Sequence, residues 1–445
     1  MQIVKRIPYW GAVVLLAYMP FHIFFSQSVS TITGGLEAWK VAKDIFTAVL
    51  AMFTICLVIF NRGVPKWFWA LLGVSGAYFL LHVLLWMIHP HLFHTSAEVG
   101  FIYNMRLICY VLIGAGAALL YPRMFAFRSI FKVIIAVSSV VAILAVIQYF
   151  LPKDILTHFG YSLARAARPS FFIDDNPAFP RVMSTLRDPN SLGAYLLVPI
   201  ALLTHALLQA KKSSGRRRVW LAGLMVLHVT ALYMTFSRSA WLGAVVMTGA
   251  IIWWRFSSYF VRVIRQWWLA GVVVLLLLAG GLFALRHNTQ LDGIVSHSTA
   301  TQVGPHDSND LHLIYIKKGL SGIWHNPLGH GPGTAGLASI QNPDGGLLTE
   351  NYYVQIGYEV GVLGLGIFVG LLVWLYIRLW RRHDEWTTVL LSTFWAYALI
   401  NMLLHMWSNE AVAVQWWLLA GVALALPAAT KRSGRSDATK ARADA

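Results

Sequence analysis

The sequence predicts an all-α polytopic membrane protein with about twelve transmembrane helices and one large extracytoplasmic loop between helices 9 and 10. Three observations predict it. Of the 445 residues, 58% are hydrophobic and only 12% are charged, where a soluble domain carries about 25%. The apolar residues fall in stretches of roughly 17–25, the length that crosses a bilayer. Lys and Arg collect in every second linker, the pattern of the positive-inside rule.

The stretches lie near 10–28, 43–60, 67–88, 102–121, 131–150, 190–210, 219–237, 240–255, 267–285, 352–377, 387–405 and 411–428. The first follows Lys5-Arg6, lacks a small-x-small cleavage pattern and reads as a membrane helix, not a removed signal peptide. The seventh and eighth approach each other as a tight hairpin around Ser237-Arg238-Ser239. Gly357, Gly361, Gly364, Gly366 and Gly370 in the tenth suggest close helix packing.

The basic linkers set the orientation. Lys5-Arg6, Arg62 with Lys66, Arg123 with Arg128 and Lys132, and the Lys211–Arg218 run all precede or follow even numbers of spans. Arg255, Arg262 and Arg265, then Arg378, Arg381 and Arg382, then Lys431, Arg432 and Arg435 continue the series. Both termini are therefore expected in the cytoplasm. The predicted organisation is helices 1–9 over residues 1–285, an extracytoplasmic loop with short helices over 286–351, helices 10–12 over 352–428, and a basic, disordered cytoplasmic tail over 429–445. Within the loop, 310–324 has helical spacing, with Leu311, Ile314, Tyr315 and Leu320 apolar and Asp307 or Ser308 as cap. The net charge of +17 does not indicate nucleic acid, because it is spread over these linkers. Cys56 and Cys109 sit inside apolar runs, too few for a disulfide framework or a metal cluster.

Several polar groups on the outer side need an explanation. Arg238 lies between two apolar runs against the charge bias, where a guanidinium needs a partner. Its planar fork of donors matches phosphate oxygens. Arg181 and Arg187 precede a turn, Asp188-Pro189-Asn190, in which Asp188 or Asn190 caps the sixth helix. The cap explains the turn and leaves the two arginines free to address the same anion. Lys40 and Lys43 stand at the same entrance, and Arg106 reads as structural. The Pro327–Gly333 turn, which contains His330, offers bare backbone N–H groups to an anion, without a Walker lysine or Rossmann spacing. His306, His312, His325 and His330 do not match a zinc signature, so no metal site is predicted. Glu350, at the start of segment ten, reads either as a capping carboxylate or as a base at the mouth of a cavity. Glu359, deeper in the same segment, requires a partner.

Four blocks in order, RVMSTLRDPNSLGAYL, TFSRSAWLG, NPLGHGPG and ENYYVQIGYEVGVLGLG, resemble the O-antigen ligase and polymerase family of bacterial envelope glycan enzymes. The resemblance spans roughly 30–405. It implies a fold similar to C-type glycosyltransferases in the bacterial inner membrane, with the active site facing the periplasm or exterior. It also implies a donor glycan on undecaprenyl diphosphate and transfer to an acceptor hydroxyl, with no nucleotide sugar, no cofactor and no metal. Carried onto this chain, Arg238 and Arg181 contact the diphosphate, joined by Arg187, Lys40 and His330. Many relatives have His-Asn where this chain has Glu350-Asn351, and Arg where it has His312. The resemblance thus implies Glu350, His312 or another loop histidine as the base, with Arg238 assisting at the leaving group. The departure favours a polymerase of lipid-linked repeat units over a ligase to lipid A core; a protein O-oligosaccharyltransferase is a further alternative. The partners implied are the lipid-linked donor, a glycan or lipid A core acceptor, membrane lipids and a chain-length regulator protein. From a different class, a secondary transporter or flippase would place its polar groups near the bilayer centre; here they gather at the outer face.

Overall fold

The computed structural model describes residues 3–61, 63–89, 95–173, 176–210, 215–257, 259, 308–342 and 346–427. The predicted ninth segment (267–285) and the tail (429–445) lie outside them, as do His306 and Asp307. The chain is all-α and polytopic. Its first half runs α1 (Ile7–Tyr18), α2 (His22–Thr33), α3 (Leu36–Ile59), α4 (Lys66–Ile88), α5 (Thr95–Leu120) and α6 (Phe127–Phe150). A short antiparallel pair, β1 (Phe171–Ile173) and β2 (Asn176–Arg181), leads into α7 (Pro189–Tyr195), α8 (Leu197–Gln209) and α9 (Gly215–Met234). Then follow α10 (Arg238–Ser257), α11 (Ser308–His325), α12 (Tyr352–Trp380), α13 (Glu385–Ile400) and α14 (Glu410–Ala425).

Among the described residues, eight helices are long and apolar enough to cross a membrane. These are the α1–α2 unit, α3, α4, α5, α6, the α7–α8 unit, α10 and α12, while α9, α13 and α14 occupy the predicted seventh, eleventh and twelfth segments. Pro20 interrupts the first span between α1 and α2, because it has no N–H to continue the ladder. Its carbonyl accepts the Thr185 hydroxyl at 2.7 Å. At the opposite end of the bundle, Lys5 reaches Asn61 at 3.0 Å and Arg6 reaches Tyr121 at 3.2 Å. The N-terminal basic pair and two of the even-numbered linkers therefore meet at one end.

Helices in lipid gain little from burying apolar surface against one another, so close backbone approach matters more. The closest approach is between α5 and α14. A Cβ at Gly114 would lie 2.0 Å from the Leu418 carbonyl oxygen, and one at Gly421 would lie 2.2 Å from that of Val111. Around this seam Trp407, Trp416 and Trp417 are fully buried, with ring centroids 5.5 Å apart for Trp407–Trp417 and 5.4 Å for Trp416–Trp417. Of the α12 glycines expected to pack closely, Gly357 approaches Ile323 and Gly364 approaches Leu81. Gly366 and Gly370 meet nothing among the described residues, whereas Gly361 breaks the helix at φ 69°, ψ −176°.

That break explains the Pro327–Gly333 turn. An α-helix would bond the Val362 N–H to Tyr358; here it goes to the Pro327 carbonyl at 2.9 Å. The freed carbonyls of Tyr358 and Glu359 accept the N–H groups of His330 and Gly331, each at 2.9 Å. The N–H of Gly333 goes to the Glu359 carboxylate at 3.0 Å, whose other oxygen accepts Asn104 at 2.8 Å. The turn thus spends on α12 the N–H groups that its glycines suggested would face an anion. Glu359 is completely buried and has the partners its position demands.

α11 lies beside α12, with Gly319 facing Val354, Gly322 facing Tyr358 and Ile323 facing Gly357. The packed face is therefore the small one, and Leu320, expected on it, is 52% exposed.

The α5–α14 seam gives a direct test. Gly421→Val should force the two helices apart at a cost of about 1–3 kcal/mol or more, read as a lowered thermal midpoint of the detergent-purified protein. An unchanged midpoint would exclude the seam as a determinant of stability.

Candidate functional site

The site begins with the RVMSTLRDPN block, which is pinned into the bundle from several sides. Val182 N–H bonds the Met234 carbonyl at 3.1 Å, at the end of α9. Gln148 at the end of α6 accepts the N–H groups of Met183 at 3.0 Å and Ser184 at 2.7 Å. Ser184 adopts φ 54°, a strained angle for a residue with a side chain, and its hydroxyl donates to Val141 at 2.8 Å. Asp188 caps α7, accepting the Ser191 N–H at 2.9 Å and its hydroxyl at 2.7 Å. Asn190 is not the cap; it accepts the Arg181 guanidinium at 2.8 Å.

This pinning sorts the predicted cations into two groups. Arg181 donates its Nε to the Thr235 carbonyl at 2.9 Å, which ties it to the TFSRS turn that carries Arg238. Burial lowers the Arg181 pKa, Asp188 offsets part of that, and the Arg238 charge lowers it further. The structure thus brings Arg181 and Arg238 together although they are 57 positions apart. The turn itself is held by Trp241, whose indole N–H donates to the Leu232 carbonyl at 3.1 Å and whose ring stacks on Tyr233.

Arg187 and Lys40 belong to the second group, in a cavity of about 170 Å³ between α2, α3, α5, α7 and the start of α14. Lys43, Asp188 and His405 also line it. Lys40 pairs with the exposed Glu37 at 2.9 Å, an interaction worth about 0–1 kcal/mol and readily exchanged for a ligand. Among the described residues Arg187 makes no ion pair.

Beneath these cations lies a buried ionic network. Glu410 sits between His22, at 2.7 Å from Nδ1, and Arg106, at 3.0 Å from Nη1. Arg106 also donates its Nε to Asp44 at 3.0 Å, and Asp44 binds Lys43 at 2.8 Å. Arg106 is thus structural, and its guanidinium stacks over Tyr103 at 4.8 Å. His22 and Glu410, which also line the cavity, were not picked out by the sequence reading. The signal was present as charged residues at the edges of apolar runs, which are costly there without a partner. What the sequence lacked was the pairing across 388 positions.

Glu350 and His330 stand apart from the cavity lining. Glu350 does not cap α12; Asn351 does, with φ −150° and its side chain accepting the Val354 N–H at 3.0 Å. Asn351 is extended, so its own amide reaches the helix, while Glu350 adopts φ 48° one residue earlier. Glu350 nevertheless adjoins Thr349, whose hydroxyl lies 3.2 Å from His405 Nε2. His330 stacks on Tyr358 with centroids 3.9 Å apart and places Nδ1 3.1 Å from the Tyr358 carbonyl oxygen. Burial lowers its pKa, and His89 adds to the lowering against the backbone hydrogen bond. The side chain of His312 lies outside the described residues.

An apolar groove borders the cavity. Ile45, Phe101 and Met105 line it between α3 and α5, and it shares Val41, Asp44 and Ile102 with the cavity.

Arg106→Leu tests the network. Removing one member leaves Asp44 and Glu410 buried without their shared cation, at a cost of about 3–5 kcal/mol. The detergent-purified variant should unfold at a clearly lower temperature; wild-type stability would show that the charges are solvated, not interdependent.

Residues 223–369 match the family model described as O-antigen ligase. The match includes the TFSRSAWLG and NPLGHGPG blocks and most of α12; Arg181, Arg187, Lys40, His22 and Glu410 lie outside it. No curated protein matches the chain.

Proposed function

We propose that this chain, which carries an O-antigen ligase family segment, polymerises undecaprenyl-diphosphate-linked oligosaccharide repeat units into a cell-surface polysaccharide at the outer face of the inner membrane. The observation that carries this reading is the cavity in which Lys40, Lys43 and Arg187 converge at one end of an apolar bundle. A lipid diphosphate needs both halves of that environment. Its phosphates need cations in a site shielded from bulk water, where charge stabilisation is strongest. Its prenyl chain needs an apolar route, and the α3–α5 groove opens beside the cavity.

Transfer requires the acceptor hydroxyl to lose a proton while the diphosphate leaves with its electron pair. Arg187 and Lys40 hold the diphosphate in the cavity. Arg181 and Arg238, paired at the adjacent turn, supply the second cationic wall, which receives developing charge on the leaving group. Glu350 and the α11 segment with His312 stand on the acceptor side, Glu350 through its neighbour Thr349 and the cavity residue His405. The orientation with both termini cytoplasmic follows from the charge of the linkers. A chain-length regulator protein would act on the polymer leaving the cavity.

Deleting the gene and examining surface glycans tests the reading. Loss of repeat-unit polymer is the expected result. Polymer accumulating on its lipid carrier would instead make the protein a ligase, and an unchanged surface would remove it from glycan assembly. In the deletion strain, Arg238→Ala should fail to restore polymer while reaching wild-type protein level; normal chain-length ladders would overturn its role at the leaving group.

A further inference from the structure

We infer that His22, oriented by Glu410, is the base that accepts the proton of the acceptor hydroxyl in this cavity. The inference rests on the glycosyl-transfer reading above and adds to it a residue outside the family match.

The geometry is specific. His22 is 2% exposed, yet it lines the same cavity as Lys40, Lys43 and Arg187. Its Nδ1 lies 2.7 Å from one carboxylate oxygen of Glu410. The other oxygen of that carboxylate is held by Arg106 at 3.0 Å, so the carboxylate cannot rotate away. Arg106 is fixed in turn by Asp44 at 3.0 Å and by the Ser408 carbonyl at 3.4 Å. The His22–Glu410 contact is at ion-pair distance and falls outside the angle of an aligned hydrogen bond; a carboxylate this close stabilises the imidazolium that forms when the ring takes a proton at Nε2. A chain of anchored groups behind a histidine is more than a buried structural histidine needs. His228, elsewhere in the bundle, is satisfied by Ser138 and the Leu224 carbonyl, each at 2.8 Å.

The step balances within the cavity. The acceptor oxygen bonds to the anomeric carbon of the donor sugar while its proton passes to His22 Nε2. The bond from that carbon to the phosphate oxygen breaks, and its electron pair leaves with undecaprenyl diphosphate toward Lys40 and Arg187. Imidazolium and diphosphate are then opposite charges in one cavity, and the proton returns to solvent as the product departs. Glu350 adjoins this cavity through Thr349 and is not among its lining residues. Two imidazoles line it: His405, whose Nε2 lies 3.2 Å from the Thr349 hydroxyl, and His22, whose Nδ1 lies 2.7 Å from the Glu410 carboxylate.

His22→Asn is the informative variant, since the Asn amide nitrogen can take the place of Nδ1 beside Glu410 while Nε2 is removed. The assay uses the full-length protein in detergent, with the lipid-linked repeat unit for transfer and undecaprenyl diphosphate alone for binding by thermal shift. The expected result is transfer lowered by about 10²–10⁴-fold, with the thermal midpoint and the undecaprenyl diphosphate shift retained, and partial restoration of His22→Gly by added imidazole. Wild-type transfer by His22→Asn overturns the inference. So does loss of transfer together with loss of binding or folding that imidazole does not restore, which would make His22 structural. No glycan product from the wild-type protein under the same conditions would instead overturn the proposed function.

Discussion

The structure depends on a charge buried between helices. Glu410 stands at the first turn of α14, the helix that fits most closely against α5. An isolated carboxylate there would cost several kcal/mol. It is tolerated because α5 sends Arg106, α2 sends His22, and α3 sends Asp44 to the same arginine. The network therefore fixes the relative rotation of four helices at one level of the bundle. Small residues permit the close approach of α5 and α14, and the ionic contacts select its register. The cavity lies against this level because charged groups that converge from separate helices leave polar walls between them.

A second constraint acts in α12. A helix interrupted inside an apolar bundle exposes backbone groups that must be satisfied by protein. Gly361 makes the interruption, and the turn carrying His330 supplies donors to Tyr358 and Glu359 and an acceptor to Val362. Two features that suggested separate purposes, a glycine-rich helix and a glycine-rich turn, are halves of one joint. The joint positions α11 beside α12 and brings Gly333 into contact with α5, where a Cβ would lie 2.0 Å from the Ser96 carbonyl oxygen.

Much of the helical architecture was legible because hydrophobic length and alternating linker charge are local properties of the chain. A cap at Asp188 or Asn190 was legible for the same reason, since Asp-Pro at a helix start acts within one turn; the choice of Asp188 came from the Arg181 contact that occupies Asn190. The joint at Gly361 was not, because its hydrogen bonds join residues about 30 positions apart. Nor was the division of the cations. Arg181 and Arg187 are six positions apart in sequence, yet the turn between them sends one to Thr235 and Asn190 and the other into the cavity. His22 and Glu410 looked unremarkable singly, since a histidine at a helix start and a glutamate at another have ordinary structural explanations. Only their meeting around Arg106 gives them chemistry.

The two cationic groups differ in what they can do. Arg181 is committed to a carbonyl and an amide, so it contributes a fixed field rather than a movable hand. Lys40 holds only an exposed carboxylate, and Arg187 makes no ion pair among the described residues. A ligand with two phosphates gains most from the uncommitted pair, because those groups give up little to bind it. In the proposed transfer the committed groups act later, when charge grows on the leaving oxygen and a preset potential acts without reorganisation. On the proposed reading, capture of a lipid-linked donor and release of its diphosphate would draw on these two kinds of cation in turn.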